Sequence, residues 1–151
     1  MAGKWREKPL FELCSYINRG LAPAYIDEGG VLVLNQKCIR DQRISFQEAR
    51  RTDQRRKPVG TERMLLPWDI LVNSTGVGTL GRVAQLRVLP EPATVDSHVT
   101  IVRPDPAAVD PQYLGFALRL LQREIEALAE GSTGQTELPR APCQDCDREH
   151  L

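Results

Sequence analysis

Residues 69–88 read DILVNSTGVGTLGRVAQLRV, and the parsing of this stretch decides the fold. Asp69-Ile70-Leu71-Val72-Asn73 is a compact apolar strand, and a polar, glycine-rich turn follows it. Within the turn, Gly76-Val77-Gly78-Thr79-Leu80-Gly81 is a literal GxGxxG. Asp96 lies twenty residues past Gly76, where a dinucleotide fold places its ribose acid. That motif needs a helix to open at its third glycine. Instead Ala84, Leu86 and Val88 alternate with Val83, Gln85 and Arg87, and Pro90 and Pro92 close the segment. A helix and a second parallel strand do not fit that space, so strand–turn–strand is expected. The glycines let backbone N–H groups approach a phosphate or a groove edge, and Ser74, Thr75 and Thr79 add hydroxyls. A hairpin loop with no ligand accounts for the same residues.

Outward from this hairpin the chain alternates strands and helices without a regular βαβ order. Residues 9–18 are expected to be helical, because Leu10, Leu13, Cys14 and Ile17 recur at helical spacing between Pro9 and Gly20. Residues 31–35 form a buried strand after Gly29-Gly30. Residues 82–88 and 98–103 are further strands, the second ended by Pro104. Asp110-Pro111 opens the clearest helix, with Leu114, Leu118, Leu121, Ile125 and Leu128 as one apolar stripe and Gly131 as its stop. The expected class is α+β, a single domain with a twisted, mainly antiparallel sheet and flanking helices.

Twenty basic and twenty acidic residues cancel over the 151 residues, so no global field selects a polyanionic partner. Locally the balance breaks. Residues 37–63 hold nine basic residues against four acidic, a net +5 expected to be mostly loop with one exposed helical turn. A polyanion could dock there, or the run could be a solvated face. With 41% hydrophobic residues the chain is not a disordered one, and apolar runs such as Val31-Leu32-Val33-Leu34 are far too short to span a bilayer. The charged start carries no apolar secretory segment, and four cysteines do not make a disulfide framework. A cytoplasmic protein with no membrane partner is expected.

The remaining motifs carry little chemistry. Cys143-Gln-Asp-Cys146 with His150 is half a zinc site, and Cys14 and Cys38 have no ligand partner beside them to complete it. His98 follows Asp96-Ser97, but neighbouring strand residues point to opposite faces and form no triad. Paired carboxylates and a Walker sequence do not occur. Gly131-Ser132-Thr133-Gly134-Gln135-Thr136 is a turn whose Gln135 amide has the donor–acceptor pair that reads an adenine edge; a helix C-cap explains it equally.

Five segments in order resemble the target recognition domain of type I restriction–modification specificity subunits. They are LFELCSYINRG (10–20), VLNQKCIRDQRI (33–44), DILVNSTGVGTLGRVA (69–84), TVDSHVTIVRP (94–104) and GSTGQTEL (131–138). The resemblance implies a recognition domain over 1–138 that reads double-stranded DNA and is not itself an enzyme. It implies a methyltransferase subunit and a restriction subunit as partners, with S-adenosylmethionine, ATP and Mg belonging to them and no cofactor in this chain. It also implies positioning on phosphates by Lys37, Arg40, Arg43 and Arg82. Base contacts are then expected from polar loop residues such as Gln36, Ser74, Thr75 and Gln135, with Thr79 beside them. A free-standing DNA-binding regulator or small DNA-acting enzyme is the alternative.

The chain departs from the family in two ways. It has one recognition domain where the family has two separated by long helices, and it lacks the Pro-rich, Glu-Gln-containing segment that follows the domain there; the stretch from Cys143 to Leu151 also stands where a short apolar strand is expected. A truncated or frameshifted tail is therefore expected over 139–151.

Overall fold

The computed structural model describes residues 7–130. In chain order the elements are α1 (Leu10–Leu13), β1 (Cys14–Arg19), β2 (Tyr25–Ile26), β3 (Val31–Leu34), β4 (Ile39–Arg40), β5 (Arg43–Ile44) and β6 (Arg50–Thr52). They continue with β7 (Ile70–Asn73), β8 (Val83–Gln85), β9 (Ala93–Val95), β10 (Val99–Pro104), α2 (Pro111–Leu120) and α3 (Gln122–Glu130). Three single 3-10 turns, the first at Gln36–Cys38, lie between strands.

The class is α+β as expected, but the strands divide into two four-stranded sheets and a small hairpin rather than one sheet. The first sheet runs β1-β10-β7-β8 and is antiparallel throughout. The second runs β2-β6-β3-β9, antiparallel except for the parallel pair β3–β9. Ile70-Leu71-Val72 shows why two apolar layers are needed. Leu71 joins Leu32, Leu34, Val95 and Ile101 in a core shared by both sheets, while Ile70 and Val72 join Val102, Leu114 and Leu118 beneath the helices. The first sheet is thus covered on both faces, which explains an uninterrupted apolar run in an antiparallel strand.

The expected helix over 9–18 is corrected. Only Leu10–Leu13 is helical, and Cys14–Arg19 is a strand on the edge of β10. The register shifts between Cys14 and Tyr16, so a bulge brings Cys14 and Ile17 onto the same layer as Leu10 and Leu13. A short helical turn followed by a bulged strand reproduces the spacing of a helix face.

Other boundaries move for identifiable reasons. The strand after the glycine turn is Val83–Gln85, shorter than 82–88, although Leu86 stays buried through its N–H to the Asp69 carbonyl. β9 escapes notice because it is three residues between Pro92 and Asp96, yet it is wholly buried against β3. The basic segment holds the hairpin β4–β5 and strand β6 as well as its turns. The C-terminal helix starts as expected, with Asp110 Oδ1 accepting from the Tyr113 N–H at 2.8 Å. It then breaks at Leu121. Leu114 and Leu118 are buried and Ile125 is packed beside them, whereas Leu121 and Leu128 are exposed, so the apolar stripe is not one continuous face. The break lets Gln122 turn toward β8, an edge strand, where its Oε1 accepts the Val83 N–H at 3.1 Å.

Candidate functional site

β7 and β8 pair antiparallel, so the GxGxxG is the loop of a hairpin and its third glycine leads into a strand. The chain closes the hairpin by Asn73 N–H to the Arg82 carbonyl and Gly81 N–H to the Asn73 carbonyl, at 2.9 and 2.8 Å. Gly76, Gly78 and Gly81 all have positive φ, which favours glycine. Gly81 is constrained twice, since a Cβ there would lie 2.8 Å from the backbone of Glu126 on α3.

Asn73 organises the base of this loop. It is fully buried, and its Nδ2 donates to the Gln36 carbonyl and to the Thr79 carbonyl, both at 3.1 Å. Its Oδ1 has no hydrogen-bond partner among the described residues. A buried acceptor left unmade costs about 1–3 kcal/mol, set against the two bonds that the same amide donates. Through it the 3-10 turn Gln36–Cys38 and the glycine loop become neighbours. Asn35 caps that turn by accepting the Lys37 N–H.

The hairpin β4–β5 packs against β8 beside the loop. Its apex residues Asp41 and Gln42 have φ of 52° and 58°, the left-handed pair of a tight primed turn. Gln42 Nε2 anchors the apex by donating to the Arg119 carbonyl of α2 at 2.9 Å. Arg40 and Arg43 stand directly opposite each other on the two strands, both exposed and both without an acidic partner among the described residues. Like charges in that position repel. An approaching anion relieves the repulsion.

The candidate residues thus divide into two groups. Gln36, Lys37, Thr79 and Arg82 come together around the glycine loop, with Arg40 and Arg43 on the adjoining hairpin. Lys37 is exposed; Gln36, Thr79 and Arg82 are half-buried, Arg82 donating to the Gly78 carbonyl at 3.1 Å. Ser74 and Thr75 are turned inward. Ser74 is 2% exposed with its hydroxyl between the Val72 carbonyl and Thr100 Oγ1, and Thr75 Oγ1 bonds His98 Nδ1. In this conformation neither hydroxyl faces outward. Gln135 lies outside the described residues, as do Cys143, Cys146 and His150.

The +5 segment is not one patch. β6 runs antiparallel to β3, with Arg50 opposite Val33 and Thr52 opposite Val31. Arg55, Arg56 and Lys57 therefore sit at the end of the second sheet away from Lys37. Arg51 is held by Glu91 at 2.7 and 3.0 Å, and Lys57 Nζ is bonded to the Ala22 carbonyl. Of that segment, Lys37 lies in the 3-10 turn bonded to the base of the glycine loop, and Arg40 and Arg43 lie on the hairpin beside β8.

Sequence reasoning missed His98 as a surface residue. It lies in the turn before β10, exposed, with its carbonyl on the Ser74 N–H and its ring on Thr75. Ser97-His98, read from the sequence as strand residues, form a turn, and no local pattern carries the contact with a loop 23 residues away. Asp96 makes no triad, because its Oδ1 accepts the His98 backbone N–H at 2.9 Å. Burial pushes the Asp96 carboxyl above its ordinary range, partly offset by that N–H and by the nearby imidazole. Burial also raises the Cys14 and Cys38 thiols to about 11. No group of three His, Cys, Asp or Glu suited to a metal occurs among the described residues. No helix among them is long and apolar enough to cross a membrane.

Neither a protein-family model nor a curated protein matches the chain. Solved structures do. The HsdS subunit from Thermoanaerobacter tengcongensis superposes with a TM-score of 0.58 at 18% identity, over 87% of this chain and 32% of that one. A chain from a structure of complex assembly and conformational transition of the type I R-M system gives 0.59 at 16%, over 86% and 30%. The fold is therefore that of a segment of type I restriction–modification specificity subunits, and the chain spans about a third of their length.

Proposed function

We propose that residues 1–138 are a DNA target-recognition domain of a type I specificity subunit, which reads a sequence in double-stranded DNA for a methyltransferase subunit and a restriction subunit. The fold shared with HsdS carries this reading. In it, Lys37, Arg40, Arg43 and Arg82 neutralise phosphates along one rim and fix the register of the duplex. Gln36, Thr79 and the backbone of the glycine loop face a groove from the same rim, and Gln135 adds a base contact. Ser74 and Thr75 support the loop from below unless the loop opens on binding. The chain performs no chemistry; S-adenosylmethionine, ATP and Mg are handled by the partner subunits, and the complex works in the cytoplasm.

Two measurements test this. The purified chain is equilibrated with a randomised duplex library at low salt, and the bound fraction is sequenced. It is also co-expressed with a methyltransferase subunit of a type I system. A recovered consensus together with co-purification supports the reading. Sequence-blind binding without a methyltransferase partner points instead to a general DNA-binding protein, and absence of binding overturns the proposal.

A further inference from the structure

We infer that Asn73 is a specificity-determining positioning residue, a latch that holds the glycine loop and the 3-10 turn Gln36–Cys38 in one fixed register. The inference rests on the DNA-reading proposal above and adds to it the device that aligns the two segments. Three observations carry it. The single Nδ2 group spans 37 residues of sequence to reach the Gln36 carbonyl and six to reach the Thr79 carbonyl, so one amide joins the two segments. The side chain is fully buried and its Oδ1 has no partner among the described residues, which an apolar residue of similar size would avoid. The main chain of the same residue closes the hairpin through Arg82 and Gly81. Asn73 itself reaches no ligand. It acts through where it puts Gln36, Thr79 and Arg82.

A base reader must sit within a fraction of an ångström of its partner, whereas a phosphate contact tolerates drift. Losing the latch should therefore damage sequence preference before it damages affinity. The test uses the whole chain with Asn73→Ser, whose single short hydroxyl cannot span both carbonyls, and Asn73→Asp, which keeps the shape but has no N–H to give. Thr94→Val serves as a control, because it removes a buried 2.7 Å bond to the Arg63 carbonyl away from the loop.

Two readouts are taken. Amide exchange should accelerate over 36–38 and 76–81 together in Asn73→Ser, while β1 and β10 stay protected. Preference for the wild-type consensus over scrambled duplex should fall about tenfold, the discrimination of one good base contact, with the salt dependence unchanged. Thr94→Val should show neither. If Asn73→Asp does not fold, Asn73→Ser carries the decision. Unchanged preference in a folded Asn73 variant overturns the inference, as does accelerated exchange in only one of the two segments. If the wild type shows no preference at all, the DNA-reading proposal falls, while the exchange result still reports on the latch.

Discussion

Arg103 grips Asp69 with two prongs, Nε to Oδ1 and Nη2 to Oδ2, each at 2.8 Å. The carboxylate is 1% exposed and also accepts the Leu66 N–H, while the guanidinium reaches on to the Glu62 and Met64 carbonyls and lies over the Tyr16 ring. One side chain thus ties β10 to the entrance of β7, to the connection before it and to β1. The pair holds the Arg103 charge firmly, its pKa raised chiefly by the bond to Asp69.

Removing one partner strands the other. Asp69→Asn should cost about 3 kcal/mol, because it leaves a largely buried guanidinium without its counter-charge. Arg103→Lys should recover only part of the wild-type stability, since an ammonium cannot reproduce the fork. Urea unfolding checks both, as a shifted midpoint at constant slope.

The glycines of the loop should behave unequally. At Gly78 (φ +77°) a Cβ meets nothing within 4 Å, so Gly78→Ala should cost only the left-handed backbone term of about 1 kcal/mol. At Gly81 (φ +88°) the same Cβ runs into the Glu126 backbone, and Gly81→Ala should cost about 2–4 kcal/mol by adding overpacking against α3. Equal effects in thermal or urea melts would mean that α3 does not pack on the loop as described.

That contrast also marks how far the sequence could be read. The alternation after Gly81 and the early prolines were sufficient to reject a dinucleotide fold and to place a hairpin, because both are local signals. The clash that requires glycine at 81 comes from Glu126, 45 positions on, and no local pattern carries it. The helix expected over 9–18 failed similarly: a bulge at Cys14–Tyr16, fixed by pairing with β10, imitated a helical period. At the candidate site, charge and hydroxyl content singled out Gln36 and Thr79, which the fold brings together at the glycine loop. These signals could not tell that Ser74 and Thr75 are spent on Thr100 and His98, or that Arg55, Arg56 and Lys57 lie at the far end of a sheet.

Acid and base limbs of the stability profile should have separate owners. The folded Asp96 carboxyl is raised, so the folded state keeps its proton at pH values where the unfolded chain has released it. Its contribution is therefore lost as pH rises from the ordinary aspartate range through the raised value. Asp96→Asn should be relatively more stable than wild type at pH 7 than at pH 3.5. Asp53 and Glu91 behave oppositely, being lowered chiefly by the Arg55 backbone N–H and by the Arg51 guanidinium respectively. Their stabilisation is present at neutral pH and lost as pH falls through the lowered values. Urea midpoints for Asp96→Asn and Asp53→Asn between pH 3 and 7 should diverge in opposite directions from wild type.

The Arg40–Arg43 pair gives the sharpest test of the interface. With three to five phosphates neutralised, log affinity should fall against log salt with a slope of roughly −3 to −4. Arg43→Ala should flatten that slope by about 0.9 and weaken all sequences alike, because a phosphate contact carries no base information. The free domain should not suffer, since the substitution removes a like-charge opposition with Arg40. Arg55→Ala, at the other end of the second sheet, should leave the slope unchanged. Gln135→Ala should do the reverse of Arg43→Ala, keeping the slope but losing ~1–3 kcal/mol of discrimination at one base pair. If Arg55→Ala and Arg43→Ala flatten the slope equally, the duplex does not lie along the glycine loop and the rim assignment is wrong.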